Sequence, residues 1–320
     1  MSFSGDTKEE LSRQISRARH CQIAEIAAII SLCGRIQINV KNQYCLRMQT
    51  ENAAVARKYF TLIKKAFEIR PEVSVRQGRN LNKAWVYMIT IPNPEDSLRI
   101  LQAVRLIDED GEINENLSIT DNIIIQQRCC KRAFLRGAFL AAGSISDPEK
   151  FYHFEIVCAS ESKAEQLRDL ILSFDIDARI VQRKKYYVVY IKEGAMIVLA
   201  LNVMEANVSL MQLENIRILK EMRNSVNRKV NCETANLNKT VSAAVRQAED
   251  IQYIKEHAGL DSLPAGLGEM AQLRLEHPDA SLKELGMMLC PQVGKSGVNH
   301  RLRKISDIAE ALRDNFSESQ

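Results

Sequence analysis

Two apolar stretches that end in glycine restrict the fold of this chain more than any other feature. The first covers residues 21–34 and the second covers residues 131–143, and both have small residues four positions apart. Residues at this spacing lie on one edge of an α-helix, where small side chains let a second helix approach closely. The sequence therefore predicts that the two helices cross, although a pair of ordinary core helices would show the same pattern. The small residues are Ala24 and Ala28 in the first stretch, and Ala133, Gly137 and Ala141 in the second.

The elements around the two stretches follow the same order, which indicates an internal duplication. Hydrophobic periodicity predicts helix, strands, helix, strands and helix in residues 1–107, and again in residues 121–204. Equivalent positions, about 102 to 110 residues apart, are Gly34 and Gly143, Glu51 and Glu161, and Val86 and Val188. The predicted helices cover 8–30, 51–68, 94–107, 123–142, 161–174 and 194–204. The predicted strands cover 36–40, 44–49, 72–77, 84–91, 154–159, 176–182 and 186–192. Turns are predicted at 41–43 and 77–80, and a polar connector at 108–120.

The remainder of the chain differs in kind, because helical patterns replace strand patterns. A helix is predicted from 206 to 257, and residues 264–268 form a break. Short helices then follow at 269–276, 281–289 and 296–303, the last continuing toward 312. We therefore predict a duplicated domain at 1–204, a helical linker at 205–262 and a terminal domain at 263–320.

The charge balance permits a nucleic-acid partner without requiring one. The net charge is +4, yet residues 205–320 contain 15 Lys and Arg against 16 Asp and Glu. Any basic DNA-binding surface in that part must therefore be a local cluster.

The eight cysteines predict neither a metal site nor a disulfide framework. The sequence has no Cys-x-x-Cys, and no group of Cys and His has the spacing of zinc ligands. Most of the cysteines lie in apolar runs, so we expect reduced core thiols in a cytosolic protein. The N-terminus lacks an apolar signal region, and the longest apolar run is too short to span a bilayer. We expect no cofactor, no metal and no membrane association.

Residues 281–305 have the pattern of a helix-turn-helix. Ser281 and Glu284 have the spacing of a capping box, and the turn at 290–294 follows. An apolar stripe at i, i+4 and i+7 then marks a second helix. The stripe consists of Val298, Leu302 and Ile305.

The second helix of such a motif enters the major groove of DNA, N-terminus first. Asn can pair with adenine and Arg with guanine, whereas Ser and Lys suit phosphate at a helix N-terminus. No acidic residue interrupts 295–304, which favours DNA contact over an ordinary solvated face. The candidate DNA-binding residues are Lys295, Ser296, Asn299, His300, Arg301, Arg303 and Lys304.

A second basic stretch lies at 223–239, inside the predicted linker. Its Asn, Arg and Lys side chains have the chemistry to contact a phosphate backbone. Asn and Thr also favour helix ends, so the stretch could equally cap and connect two helices. The candidate backbone-contacting residues are Arg223, Arg228, Lys229, Asn231, Asn236 and Lys239.

The glycine-ended helices and the strands after them resemble the LAGLIDADG homing endonucleases. In that fold the paired helices lie at the domain interface, and two flanking sheets form a saddle on DNA. The nucleases place an acid just before each terminal glycine, where it binds a divalent metal. The matching positions here are Cys33 and Ala142, which offer Mg²⁺ no hard oxygen ligand. Two acids, Glu25 and Asp147, are near these positions in sequence. However, Glu25 lies about two turns before Gly34, and Asp147 lies beyond the end of the helix that precedes Gly143. The resemblance therefore implies the fold without catalytic or metal-binding residues.

Two specific stretches resemble the WhiA family of bacterial sporulation and cell-division regulators. They are Asn-Arg-Lys-Val-Asn-Cys-Glu-Thr-Ala-Asn-Leu-Asn-Lys at 227–239 and Lys-Ser-Gly-Val-Asn-His-Arg-Leu-Arg-Lys at 295–304. The resemblance covers essentially the whole chain. It implies an α+β fold: a degenerate, duplicated LAGLIDADG-like N-terminal domain with two small antiparallel sheets, followed by an all-α helix-turn-helix domain. It also implies a cytoplasmic, nucleoid-associated protein that binds promoters and is linked to sporulation, cell division or chromosome segregation.

We therefore expect a non-enzymatic regulator that binds specific double-stranded DNA and has a protein partner in transcription or division. The main alternative is a cell-division or chromosome-segregation adaptor whose DNA binding is secondary. A further alternative is a metal-dependent endonuclease that uses other acids. An RNA-binding role is disfavoured, because the aromatic content of 6% leaves few side chains for base stacking.

Overall fold

The computed structural model describes residues 2–38, 44–77, 85–107 and 123–317. Two compact units divide the chain, Met1–Lys220 and Glu221–Gln320. The turn predicted at 41–43, most of the turn predicted at 77–80 and the connector predicted at 108–120 lie outside the described residues. Among the described residues, no helix combines the length and apolar character needed to cross a bilayer.

The first unit contains the predicted duplication. Its first repeat comprises α1 (Phe3–Arg13), α2 (Arg19–Cys33), β1 (Gly34–Ile38), β2 (Tyr44–Thr50), α3 (Ala53–Phe67), β3 (Glu72–Gln77), β4 (Trp85–Ile91) and α4 (Pro94–Ala103). Its second repeat comprises a 3-10 turn (Ile123–Ile125), α5 (Arg128–Ala142), β5 (Gly143–Ile145), β6 (Phe154–Cys158), α6 (Glu161–Leu172), β7 (Arg179–Arg183), β8 (Tyr186–Ile191) and α7 (Gly194–Met204).

Each repeat forms a four-stranded antiparallel sheet with the same topology. The strand orders are β1-β2-β4-β3 and β5-β6-β8-β7. The registers agree as well, since Leu46 pairs with Ile91 in the first sheet and Phe154 pairs with Ile191 in the second. Helices cover one face of the central strands of each sheet, which explains the alternation of buried and half-buried residues along β6, whereas the edge strand β3 is exposed along its length. The prediction of two small antiparallel sheets is confirmed.

Helices α2 and α5 form the centre of the first unit. A Cβ atom built on Gly137 of α5 would lie 2.5 Å from the carbonyl oxygen of Glu25 and 3.0 Å from the Cβ of Ala28, both on α2. The small residues Ala24, Ala28 and Ala133 are buried beside this contact. The two helices therefore cross where the small-residue edges meet, as the spacing predicts.

The structure corrects the helix predicted at 8–30. Residues 14–18 separate α1 from α2, although no Gly or Pro marks that break. The backbone of Gln14 is extended, and the side-chain amide of Gln22 donates a hydrogen bond to the carbonyl oxygen of Ser16 at 2.7 Å. Contacts of the folded unit, rather than local propensity, place this break. The sequence also missed strand β5, which has three residues, and it placed the start of α5 five residues early.

Helix α8 (Asn207–His257) begins in the first unit and ends in the second. Its start is bound to the first unit, because the carboxylate of Glu10 accepts hydrogen bonds from the backbone N–H groups of Val208 and Ser209 at 2.8 and 2.9 Å. The second unit then continues with a 3-10 turn (Leu260–Ser262), α9 (Leu267–Glu276), α10 (Leu282–Met288) and α11 (Lys295–Ser317).

Candidate nucleic-acid interface

The turn between α10 and α11 is fixed by local chemistry and by a close backbone contact. Ser281 Oγ accepts a hydrogen bond from the backbone N–H of Glu284, and a Glu284 carboxylate oxygen accepts one from the backbone N–H of Ser281. This confirms the predicted capping box. The backbone N–H of Val293 donates to the carbonyl oxygen of Gly286 at 3.0 Å. A Cβ on Gly286 would lie 2.1 Å from the carbonyl oxygen of Val293, so only glycine permits this approach.

The apolar stripe of α11 is buried in the core of the second unit. Val298, Leu302 and Ile305 are buried there with Leu285 of α10 and Met270 of α9. This packing holds α11 with its opposite face toward solvent. The exposed candidate residues are Lys295, Ser296, Asn299, His300, Arg303 and Lys304.

Arg301 is the one candidate on α11 that the structure places elsewhere. It is half-buried, and its guanidinium donates to the carbonyl oxygen of Gly266 at 3.4 Å. With about 100° between successive residues of an α-helix, Arg301 lies at the flank of the exposed face, away from Asn299 and Arg303. Its contact ties α11 to the turn before α9.

The N-terminus of α11 is open to solvent as well. Gly294, Lys295 and Ser296 are exposed, and a Cβ on Gly294 would meet nothing within 4 Å. The first backbone N–H groups of a helix have no partner within the helix, and the helix dipole adds partial positive charge there. This end of α11 is thus suited to an anionic oxygen, and a phosphate group fits that description.

The second candidate stretch, at 223–239, lies in the middle of α8. Every residue from 221 to 243 is exposed. Because α8 continues without interruption to His257, residues 223–239 do not cap or connect two helices. That alternative was wrong: the Asn and Thr side chains occupy helix-interior positions here rather than helix ends.

Helical geometry divides the six candidates on α8 into two groups. At about 100° per residue, five of them lie within an arc of about 160°, and exposed apolar side chains form a stripe on the opposite side. Arg223 lies with that stripe. The arc contains Arg228, Lys229, Asn231, Asn236 and Lys239, and the stripe contains Met222, Val226, Val230, Leu237 and Val241.

The positions that match the nuclease acids lie at the C-terminal ends of α2 and α5. Cys33 Sγ donates to the carbonyl oxygen of Ile29 at 3.1 Å, and burial raises the pKa of this thiol to about 12. Lys8 of α1 adds a positive charge beside Cys33, and its ammonium lies 5.7 Å from the centre of the Phe139 ring. A neutral thiol, the methyl group of Ala142 and an ammonium offer no ligand to a hard cation. No sequence pattern predicts this role for Lys8.

Glu25, the acid nearest to this end in sequence, is bound within a buried ion network. One of its carboxylate oxygens lies 2.6 Å from the ammonium of Lys58 and 3.0 Å from Nε of Arg136. Arg136 also pairs with Glu205 at 3.0 Å. Burial lowers the pKa of Lys58 to about 8 despite the neighbouring carboxylate. The carboxylate of Glu25 is therefore fully engaged in holding α2, α3 and α5 together.

Asp147, the other nearby acid, is exposed in the turn after β5. Its carboxylate accepts a hydrogen bond from the backbone N–H of Glu149 at 3.0 Å. It serves as a turn residue, as its place before Pro148 suggests.

The cysteines are less uniform than the sequence predicted. Cys21, Cys130 and Cys158 are buried, whereas Cys129, Cys232 and Cys290 are exposed. Exposed thiols on α5 and α8 correct the expectation of core cysteines at those positions. Apolar neighbours in sequence do not decide which side of a helix faces solvent.

Three family models match successive parts of the chain. The WhiA N-terminal LAGLIDADG-like domain matches residues 19–107, and the WhiA LAGLIDADG-like domain matches residues 131–223. The WhiA C-terminal HTH domain matches residues 226–309. Together they include most of both repeats of the first unit and the helix-turn-helix.

Relatives of similar length are known. A protein from Lachnoclostridium phytofermentans, named probable cell division protein WhiA, is 52% identical over 313 residues, which cover 98% of this chain and 100% of the relative. A protein of the same name from Alkaliphilus oremlandii is 50% identical and covers 98% of each chain. The crystal structure of full-length DUF199/WhiA from Thermatoga maritima aligns with a TM-score of 0.59 and 26% identity, covering 97% of this chain and 99% of that one.

Proposed function

Since the chain belongs to the WhiA family, we propose that it is a transcriptional regulator that binds specific double-stranded DNA through α11. The observation that supports this most directly is the exposed face of α11. Its Asn, His, Arg and Lys side chains point away from the core of the second unit, and none of Asn299, His300 and Arg303 forms an ion pair within the described residues. Polar groups that lack protein partners are available to bases and phosphates.

In this proposal α11 enters the major groove with its N-terminus first. Asn299 and Arg303 are one turn apart on the same face, at the spacing that lets two side chains contact neighbouring base pairs. Lys295, Ser296 and the free N–H groups of the first turn bind phosphate. His300 and Lys304 lie at the other side of the face. Arg301 supports the helix rather than the DNA.

Replacing Asn299 or Arg303 with alanine is expected to weaken binding to the cognate site by about 5- to 150-fold, because one bidentate base contact contributes about 1–3 kcal/mol. Each change should also relax specificity at one base pair. Genome-wide occupancy of the full-length chain would supply the site, and titration of that DNA at fixed salt would measure the loss. Lys255→Ala removes one exposed positive charge from the same unit and serves as the control. Cognate binding at the level of the control in both variants would contradict the proposal.

The polar arc of α8 is proposed to contact the DNA backbone. Lys229→Ala and Lys239→Ala should each reduce the slope of log Kd against log salt by about 1, with equal effects on cognate and unrelated DNA. Arg223→Ala, on the opposite side of α8, is the matched control and should leave the slope unchanged. An unchanged slope in both lysine variants would remove α8 from the interface.

The first unit is proposed to act without nuclease activity. Incubation of the full-length chain with supercoiled plasmid and Mg²⁺ or Mn²⁺ is expected to leave the plasmid intact. The physical reason is that Cys33, Ala142 and Lys8 offer no oxygen ligand at the helix ends, while Glu25 is committed to Lys58 and Arg136. Metal-dependent cleavage that persists through purification and disappears in a Glu25→Gln variant would overturn this expectation.

A role in cell division is proposed as well, because relatives that are 50–52% identical to this chain are named probable cell division proteins. Two forms of this role differ in their need for DNA. If the protein acts through promoters, the full-length Asn299→Ala, Arg303→Ala double variant fails to restore division in a strain that lacks the chain. If it acts as an adaptor, the same variant restores division. The same experiment tests a link to sporulation or chromosome segregation, since both phenotypes can be scored in the strain that lacks the chain.

A further inference from the structure

Four potential metal ligands meet at the N-terminal ends of α2 and α5. They are His20, Cys21, Cys129 and Cys130, and one donor atom of each lies within 4.8 Å of the donor atoms of the others. Nδ1 of His20 lies 3.1 Å from Sγ of Cys130 and 3.4 Å from Sγ of Cys21. This cluster is at the opposite end of the helix pair from Cys33 and Ala142, so it is separate from the positions that match the nuclease acids.

The duplication explains how the cluster forms. His20 and Cys21 are the second and third residues of α2, and Cys129 and Cys130 are the second and third residues of α5. Each pair stands at the same distance in sequence from the glycine that follows its helix. Where the two helices come together, each repeat therefore contributes two adjacent donors. A search for ligand spacing along the sequence cannot find such a site, because the pairs are far apart in the chain.

The donor set matches the chemistry of a structural zinc site. Three cysteines and one histidine form one of the usual tetrahedral arrangements for Zn²⁺. With Zn–S near 2.3 Å and Zn–N near 2.0–2.1 Å, the donor atoms of three cysteines and one histidine in a tetrahedron are separated by about 3.5–3.8 Å. The observed contacts of His20 differ from that range by tenths of an ångström, and no separation between donor atoms in the cluster exceeds it by more than about 1 Å. Small side-chain rotations therefore suffice to surround an ion.

Burial raises the pKa of the Cys21 and Cys130 thiols in the metal-free cluster, so their deprotonation depends on the bound Zn²⁺. Helices α2 and α5 both begin without a side-chain hydrogen bond at the N-cap, Ala18 and Gln127 respectively. Partial positive charge at a helix N-terminus stabilises a thiolate in the first turn. Three thiolates around Zn²⁺ carry a net negative charge. The cleft beside Cys21 and Cys129 is lined by Arg132 and Arg136, together with Glu205, which pairs with both arginines.

We propose that His20, Cys21, Cys129 and Cys130 bind one zinc ion, which links the two repeats of the first unit. The ion would join the N-terminal ends of the helix pair, while the glycine-mediated crossing joins the middle. Because the ligands come from both repeats, the site requires the folded unit, and binding stabilises that unit.

The test uses the full-length chain, purified with a reductant, stripped with a chelator and returned to equimolar Zn²⁺. Elemental analysis after desalting should give one zinc per chain. Co²⁺ in place of Zn²⁺ should produce thiolate charge-transfer absorption and the visible bands of a tetrahedral ion. Zinc should raise the Tm of the first unit by about 5–15 °C when it is present at one hundred to one thousand times its Kd.

The variants are chosen at exposed positions, so that a failure to fold does not confuse the result. His20→Ala and Cys129→Ser should each weaken zinc binding by more than about tenfold. Loss of a residue that only hydrogen-bonds a metal ligand costs at least about tenfold, and loss of a ligand itself should cost more. Cys232→Ser removes an exposed cysteine on α8 and should bind zinc as the parent does. Equal zinc content in the parent and in both cluster variants would overturn the proposal. The proposal would also be overturned if the cysteines formed a disulfide on oxidation and the fully reduced chain took up no zinc.

Discussion

Replacing Glu25 with alanine is expected to lower the free energy of unfolding of the first unit by about 3–5 kcal/mol. The substitution leaves Lys58 with no carboxylate partner, although its side chain is fully buried. Its remaining hydrogen bond is to the carbonyl oxygen of Leu11 at 2.8 Å, and a carbonyl does not neutralise an ammonium. Arg136 keeps Glu205, so Lys58 carries most of the cost.

Hydrogen exchange of the full-length chain, followed by mass spectrometry, measures this effect in peptides from α2, α3 and α5. Peptides from α9 to α11 provide the internal reference, since they belong to the other unit. The matched control is the double variant Glu25→Leu, Lys58→Met, which removes both charges and fills the space with apolar groups. Replacement of a buried pair in this way is often neutral, so most of the stability should return. A double variant as unstable as Glu25→Ala would show that the ion pair itself, and not an unpaired charge, determines the loss.

Replacing Gly137 with alanine is expected to destabilise the first unit by about 3 kcal/mol, the upper end of the range for overpacked sites. The added Cβ would lie 2.5 Å from the carbonyl oxygen of Glu25. A backbone carbonyl within α2 cannot rotate away, so the two helices must separate along their whole contact. The higher helix propensity of alanine offsets only about 0.5–1 kcal/mol of this cost.

The matched control is Gly268→Ala in α9, where the added Cβ would lie 3.5 Å from its nearest neighbour. There the propensity gain is unopposed, and the second unit should become slightly more stable. Both substitutions replace glycine with alanine. If urea unfolding shows that one lowers the free energy of unfolding and the other raises it, the contact between α2 and α5 is the cause of the difference. A stabilising effect at Gly137 would show that α2 and α5 have room to adjust.

Predictions from local sequence were confirmed where a residue type at a given spacing favours one local structure. Small residues four positions apart gave the contact edge of α2 and α5, and Gly34 and Gly143 marked the helix ends within one residue. The capping box at Ser281 was likewise confirmed, because its two hydrogen bonds lie within four residues of chain. The predictions failed at the break between α1 and α2, which contains neither Gly nor Pro.

Residue order alone was enough to predict the duplicated α+β unit, the helix-turn-helix pattern and the absence of an acid before either terminal glycine, because periodicity and residue identity are properties of neighbouring positions. The packing of distant segments settled which side chains meet around the helix pair and within the second unit. It bound Glu25 to Lys58 and Arg136, brought Lys8 to Cys33, turned Arg301 toward Gly266, and joined His20 and Cys21 to Cys129 and Cys130. Each of these contacts joins residues from different helices or from a helix and a turn, which periodicity along one segment does not bring together. The meeting of His20 and Cys21 with Cys129 and Cys130 depends in addition on how closely α2 and α5 approach.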